Sequence, residues 1–263
     1  MKNQFFYSVP AIAQSSPVIR KIAENFLAKT PFSEKTRNRL KLAFSEVFMN
    51  AVMHGSSGDS TVDIRFFIND DGIIIQVDDA GKEGFKITPE KLKEKVKFNE
   101  ENANVTQVSG RGISQIIKNW TDDYSIENSE KGGIKFTFKK FFKNDLNETA
   151  KVNLTIEKNK TNTKDLERKV FAFNGEIDES NINQKTIEID KFIKRKKAVN
   201  KLLVLDFNGL SFFISTFIAK IVEWNKSVLE TKGGMEIINV SDDVFDILDL
   251  VGIAKFISIV RKK

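Results

Sequence analysis

The stretch EVFMNAVMHG, Glu46 to Gly55, carries the only histidine among 263 residues, His54. Its spacing predicts a helix. Steps of four residues advance about 40° around a helix axis, so Glu46, Asn50 and His54 form one inclined polar stripe. Leu40, Ala43, Phe44, Val47, Phe48 and Ala51 fall on the other side as a core face. A carboxylate, an amide and an imidazole are then presented to a cleft. An amide oxygen suits Mg²⁺, which takes oxygen ligands, and a carboxylate one turn earlier can take a proton from an attacking hydroxyl. On spacing alone, an ordinary exposed polar face explains the stripe at least as well.

Outward from this stretch, the helix begins at a Ser33 cap. An earlier helix is marked by Ser15 or Ser16, by Pro17 in its first turn, and by Ile19, Ile22 and Phe26 at helical spacing. Two strands follow, TVDIRFFI from Thr61 and GIIIQVD from Gly72, separated by the turn NDDG. A polar stretch from Lys82 to Ser109 leads to a short helix, Ile113 to Trp120. DYSIEN and GIKFTFKKF then form a hairpin through Gly132 and Gly133. Mixed helices and antiparallel pairs predict an α+β layer.

The segment KNDLNETAK, from Lys143, has no apolar period and reads as a linker, placed at 144–150 between domains of 1–143 and 151–263. Beyond it, KVNLTIE and KVFAFNG read as strands and Asn183 to Arg195 as a helix. KLLVLDF is the continuous apolar run of a buried parallel strand. A helix from Ser215 to Thr231, the strand MEIINV, a helix capped near Ser241 and stopped by Gly252, and KFISIV complete an alternating α/β order. No repeat links the two halves.

Composition narrows the function classes. Hydrophobic residues at 40%, with 23 phenylalanines, supply buried cores. The absence of cysteine excludes disulfides and thiolate metal sites, and a single histidine argues against a multi-histidine centre. The N-terminal residues do not read as a signal peptide, and Leu210 to Val222 is too short to span a bilayer. A cytoplasmic protein without a membrane partner is expected. The net charge of +6 is spread among 36 acids; the tightest cluster, KRKK at 194–197, ends a predicted helix, so direct nucleic-acid binding is not expected.

Two glycine-bearing segments extend the reading of the first half. VDDAGKEGF follows a strand and offers Asp79 to a donor, with Gly81 and Gly84 for close backbone approach. SGRGISQII places Gly110, Arg111 and Gly112 at the start of a helix, where free N–H groups favour phosphate. In this order, with E-x-x-x-N-A-x-x-H-G, residues 8–142 resemble the GHKL ATP-binding fold of gyrase B and sensor histidine kinases. More narrowly, they resemble bacterial anti-sigma factor serine kinases. That resemblance implies ATP and Mg²⁺ as cofactors, Glu46 as general base and Asn50 as magnesium ligand. It makes Asp79 the carboxylate that reads the adenine amine, with Gly81 and Gly84, then Gly110, Arg111 and Gly112, lining the nucleotide. Residues 85–109 would form a lid, and His54 a helix-end hydrogen-bonding residue. The first glycine box is one residue longer than D-x-G-x-G, and Ile134 replaces the usual threonine after the glycine pair. A sensor histidine kinase is excluded, because the one histidine already belongs to the nucleotide motif.

The second half resembles a STAS domain, the anti-anti-sigma fold, over residues 151–263. The signs are Gly175-Glu176-Ile177-Asp178, LSFFIST between a strand and a helix, and the ending GGMEIINVSDDVFDILDLVGI. Such domains are phosphorylated on a serine at a helix N-terminus, where a phosphate is stabilised. Ser215 falls on that serine, and also reads simply as an N-cap. Ile214 and Phe217 stand where aspartate and glycine are usual, and Phe217 is expected to crowd an approaching active site.

The fold class expected is therefore an α+β two-layer GHKL ATP-binding domain followed by an α/β STAS domain. The function it implies is a partner-switching regulator of transcription. Its kinase-like domain would bind Mg-ATP, hold a sigma factor or another STAS switch protein, and phosphorylate a STAS serine; a homodimer is compatible with this. The alternative is a catalytically degenerate, nucleotide-sensing scaffold.

Overall fold

The computed structural model describes residues 3–57, 59–82, 88–94, 117, 119–145, 166–194 and 201–262. The chain divides into two compact units, Met1–Val152 and Asn153–Lys263. Gly84, Gly110, Arg111 and Gly112, most of the expected lid, KVNLTIE and residues 146–150 lie outside the described residues.

The first unit is one antiparallel sheet backed by two helices. Its strands are β1 (Asn3–Pro10), β2 (Thr61–Ile68), β3 (Gly72–Asp78), β4 (Asp123–Asn128) and β5 (Ile134–Phe141), in the order β1-β2-β3-β5-β4. Helices α1 (Ser16–Leu27) and α2 (Glu34–His54) pack on each other, and α2 packs on β2 and β3. Alternation decides the faces: Val62, Ile64, Phe66, Ile73, Ile75, Val77, Phe136 and Phe138 are all buried. Between β2 and β3 the Asn69 carboxamide oxygen accepts from the amides of Asp71 (3.0 Å) and Gly72 (2.9 Å), closing the turn. Of the expected helix Ile113 to Trp120, the described residues 117, 119 and 120 are helical.

Strand β1 was not among the expected elements. It adds antiparallel to β2, from Asn3↔Ile68 to Pro10↔Thr61. Phe5 and Tyr7 lean inward, with ring centroids 6.0 Å from Phe26 and 6.1 Å from Phe66. On the opposite face of the sheet a polar ladder crosses the strands. Arg65 lies over the Phe6 ring and donates to Gln76 (3.2 Å), which donates to Thr137 (3.1 Å).

Helix α2 is fastened at its start from two directions. Ser33 caps it, its hydroxyl accepting from the Thr36 amide at 3.2 Å. Beyond β5, residues Phe142–Asn144 form a 3₁₀ turn that delivers Asp145 to the same place. Its carboxylate accepts from the Ser33 amide (2.7 Å) and hydroxyl (3.0 Å). Asn144 and Asp145, assigned to the linker on sequence, thus continue the first unit.

The second unit is a wholly parallel sheet, β6-β7-β8-β9, whose strands are Glu167–Ile177, Lys201–Phe213, Gly234–Val240 and Ser258–Arg261. Each crossover carries a helix: α3 (Ile182–Lys194), α4 (Ser215–Glu230) and α5 (Asp242–Leu250). Leu202 to Leu205 are buried, as a strand covered on both faces requires. Strand β7 does not stop at KLLVLDF. It runs on through Asn208 and Gly209, and pairs with β6 as far as Ile177↔Phe213 across two register shifts. Gly209 allows this, since a Cβ there would stand 2.2 Å from Asn174 Oδ1.

Candidate nucleotide-binding site

Along α2 the expected stripe is graded rather than uniformly presented. Glu46 is buried, Asn50 half-buried and His54 exposed. The inner end of the stripe is therefore part of the packed helix face, unlike a plain solvated surface. Asn50 Nδ2 donates to the Glu46 carbonyl at 2.6 Å. This fixes the amide: its nitrogen is spent on the helix, and Oδ1 remains as the acceptor. His54 sits in the last turn of α2. Among the described residues its side chain makes no hydrogen bond, contrary to the helix-end role expected for it.

The best-defined group is Asp79, just beyond β3 and 5% exposed. Its Oδ1 accepts two backbone hydrogen bonds, from Gly81 N–H and Ile134 N–H, both at 3.0 Å. Ile134 thus serves the carboxylate through its main chain, so the missing threonine side chain does not remove this contact. Burial pushes the carboxyl up from its ordinary 3.8 to about 6, against the two amides that favour the ionised form; Asp78 raises it a little further and Lys131 opposes.

Two glycines make room for this carboxylate. A Cβ on Gly133 would stand 1.8 Å from Asp79 Oδ1, and one on Gly55 would stand 2.2 Å from Oδ2. Gly81, with φ of +77°, lies so close to the Gly132 carbonyl that a Cβ would approach it to 2.7 Å. Ser56 meets Gly81 in an isolated parallel bridge. Three segments far apart in sequence, 55–56, 79–81 and 132–134, therefore converge on one carboxylate at the end of α2. The role of Gly55 and Gly133 was not read from the sequence. The available signal was a glycine directly after His54 and a second in the Gly132-Gly133 pair.

In the second unit Ser215 is the first residue of α4 and is half-buried, beside an exposed Thr216. The N-cap position belongs to Ile214 (φ −93°, ψ 162°), which offers no side-chain cap, so Ser215 is not the N-cap. Phe217 is fully buried, packed against Phe173, Phe207, Phe213 and Trp224. It is a core residue and does not crowd the surface at Ser215, which corrects the expectation from sequence. Asp178, in the motif after β6, turns to its own loop and accepts from the Ser180 amide and hydroxyl.

Among the described residues no group of three or more His, Cys, Asp or Glu side chains is placed to hold a metal ion. No helix among them is long and apolar enough to cross a membrane. Residues 9–139 match the family model of the histidine kinase-like ATPase domain, and residues 157–263 match that of the STAS domain. A search of curated proteins returned no match. An antiparallel α+β unit with a buried acceptor beside paired glycines, then a parallel α/β unit, agrees with both matches. The chain is therefore a fusion of a histidine kinase-like ATPase domain, residues 9–139, with a STAS domain, residues 157–263.

Proposed function

We propose that this protein is an ATP-dependent partner-switching regulator, whose first unit is an anti-sigma-type serine kinase and whose second is its substrate or regulatory STAS domain. The observation that carries the nucleotide part is Asp79. Its Oδ1 is saturated by two main-chain amides, its Oδ2 has no hydrogen-bond donor among the described residues, and its charge is held in a buried place. An acceptor kept free in this way suits one exocyclic amine of a base.

The residues of α2 supply the chemistry. Asn50 would hold Mg²⁺ through Oδ1, because its nitrogen is already engaged with Glu46. The bound metal would screen the triphosphate charge as it moves onto the leaving group. Glu46 would accept the proton of a serine hydroxyl as that oxygen forms its bond to the γ-phosphorus and ADP departs. Ser215 is the acceptor proposed in the second unit; at the first position of α4 a phosphate would lie at the positive end of the helix dipole. The linker keeps the two units at an effective concentration on the order of millimolar. A sigma factor or a separate STAS protein is the proposed partner, and the cytoplasm the proposed location.

Incubation with Mg-ATP followed by phosphosite mapping tests the reading. Phosphoserine at Ser215, or on an added STAS protein, supports it. Tight ATP binding with no transfer to either converts the proposal to a nucleotide-sensing scaffold.

A further inference from the structure

Lys131 lies in the turn between β4 and β5, yet its ammonium binds a strand with which neither of them pairs. Nζ donates to the Thr61 carbonyl (2.9 Å) and hydroxyl (3.0 Å), and it pairs with Asp63 Oδ1 at 3.1 Å. Thr61 and Asp63 belong to β2, which β3 separates from β5. The side chain therefore crosses the end of β3, beside the segment that carries Asp79. An ammonium has three donors, and here three acceptors meet them, so its place is fixed. The Ser8 hydroxyl donates to the same Asp63 oxygen at 2.7 Å, which extends the anchor to β1.

What this anchor holds is the turn that holds Asp79. The Lys131 amide donates to Ser129 Oγ at 2.9 Å, and the Ser129 amide donates to the Gly133 carbonyl at 2.9 Å. The turn leads straight into Gly133, which packs against Asp79 Oδ1, and Ile134, whose amide donates to that oxygen. The Lys131 charge also favours the ionised carboxylate against its burial. We propose that Lys131 is a positioning residue of the nucleotide site: by clamping the β4–β5 turn to β2, it sets where the Asp79 carboxylate stands to meet the base amine. This rests on the nucleotide reading above, and adds to it a residue outside the α2 motif and both glycine boxes.

The test is calorimetry on the full chain with ATP and with purine riboside triphosphate, which is ATP without the exocyclic amine. Wild-type protein binds ATP at least about tenfold more tightly, the worth of one hydrogen bond. Lys131→Met narrows that ratio about fivefold by weakening ATP, and leaves the affinity for purine riboside triphosphate within about twofold. Asp63→Asn narrows it in the same direction, and the double variant goes no further than Lys131→Met, as two residues acting through one contact require. A wild-type ratio that survives in Lys131→Met overturns the assignment and leaves the nucleotide reading standing. So does a loss shared equally by both nucleotides, which is what a purely structural anchor gives. Equal wild-type affinity for the two nucleotides, or no ATP binding, overturns the reading of Asp79 and the assignment with it. Where Lys131→Met does not fold, Asp63→Asn carries the same comparison, and an unchanged ratio there overturns the assignment.

Discussion

Asp79 and Ile134 exchange two hydrogen bonds: the Asp79 amide donates to the Ile134 carbonyl at 2.9 Å, and the Ile134 amide donates to Asp79 Oδ1 at 3.0 Å. The start of β5 thus holds the Asp79 backbone and its side chain together, which leaves the carboxylate little freedom to turn away. A buried anion fixed in this way has consequences for stability and binding that can be measured separately.

Stability should depend on pH through this group. Its native pKa lies above the unfolded value, so the native state holds the proton more tightly and the contribution is fully present below pH ~4. That contribution is lost as pH rises through about 6. The gap between 3.8 and about 6 corresponds to about 3 kcal/mol. Asp79→Asn should remove this loss, so the variant melts at or above the wild-type temperature at pH 8, while ATP affinity falls at least 100-fold. Thermal melts from pH 4 to 8, set beside calorimetry, check both halves.

Nucleotide affinity should move with pH in the opposite sense. A protonated Asp79 no longer offers an ionised acceptor to the base. ATP binding should hold steady above pH ~7 and weaken toward tenfold per pH unit below about 6. A flat profile from pH 8 to 5 would remove Asp79 from base recognition.

Gly55→Ala and Gly133→Ala should each displace the carboxylate, since the added carbon would stand 2.2 Å from Oδ2 or 1.8 Å from Oδ1. We expect a loss of about 1–3 kcal/mol in each, as for other overpacked sites. ATP affinity should drop more than tenfold. Normal affinity in either variant would show that the cradle is dispensable.

On α2, Glu46→Gln should abolish phosphoryl transfer while leaving ATP binding nearly unchanged. Asn50→Ala should abolish the part of ATP affinity that chelation of Mg²⁺ removes from the wild type. Binding measured with and without EDTA, alongside a transfer assay, separates the two roles.

In the second unit, Phe217→Ala should cost about 3–5 kcal/mol because it empties the centre of an aromatic cluster. Thr216→Ala, on an exposed neighbour, should stay within about 0.5 kcal/mol. Denaturant unfolding followed by Trp224 fluorescence in a Trp120→Phe background reads this unit.

Much of this architecture was legible because its signals are local. The α2 register, the β2–β3 turn, the alternation of β5 and the apolar run of β7 each sit within one stretch of chain. Strand β1 was not seen. Phe5, Tyr7 and Val9 do alternate, but the run ends at Pro10, and its partner among the described residues, β2, lies more than fifty residues away. The end of β7 was misjudged because Asn208-Gly209 has the composition of a turn, whereas there the glycine admits the Asn174 side chain. Asp79 was found by its motif. Its cradle was not, because Gly55 and Gly133 reach it across 24 and 54 residues and their contribution is the absence of an atom. Phe217 was misplaced because its position in the pattern says nothing of which way the ring turns.

The attachment of Asp145 to Ser33 holds the last described residue of the first unit at the amino end of α2, whereas Glu46 and Asn50 lie about 18 and 24 Å further along at 1.5 Å per residue. Under the proposed reaction, a serine carried on the same polypeptide would have to reach back along that helix to meet Glu46. At no more than 3.3–3.6 Å per residue, a connector trimmed to fewer than about seven residues cannot return that far. Such a shortened protein would be confined to modifying its neighbours, and reaction order in protein concentration would change from first to second.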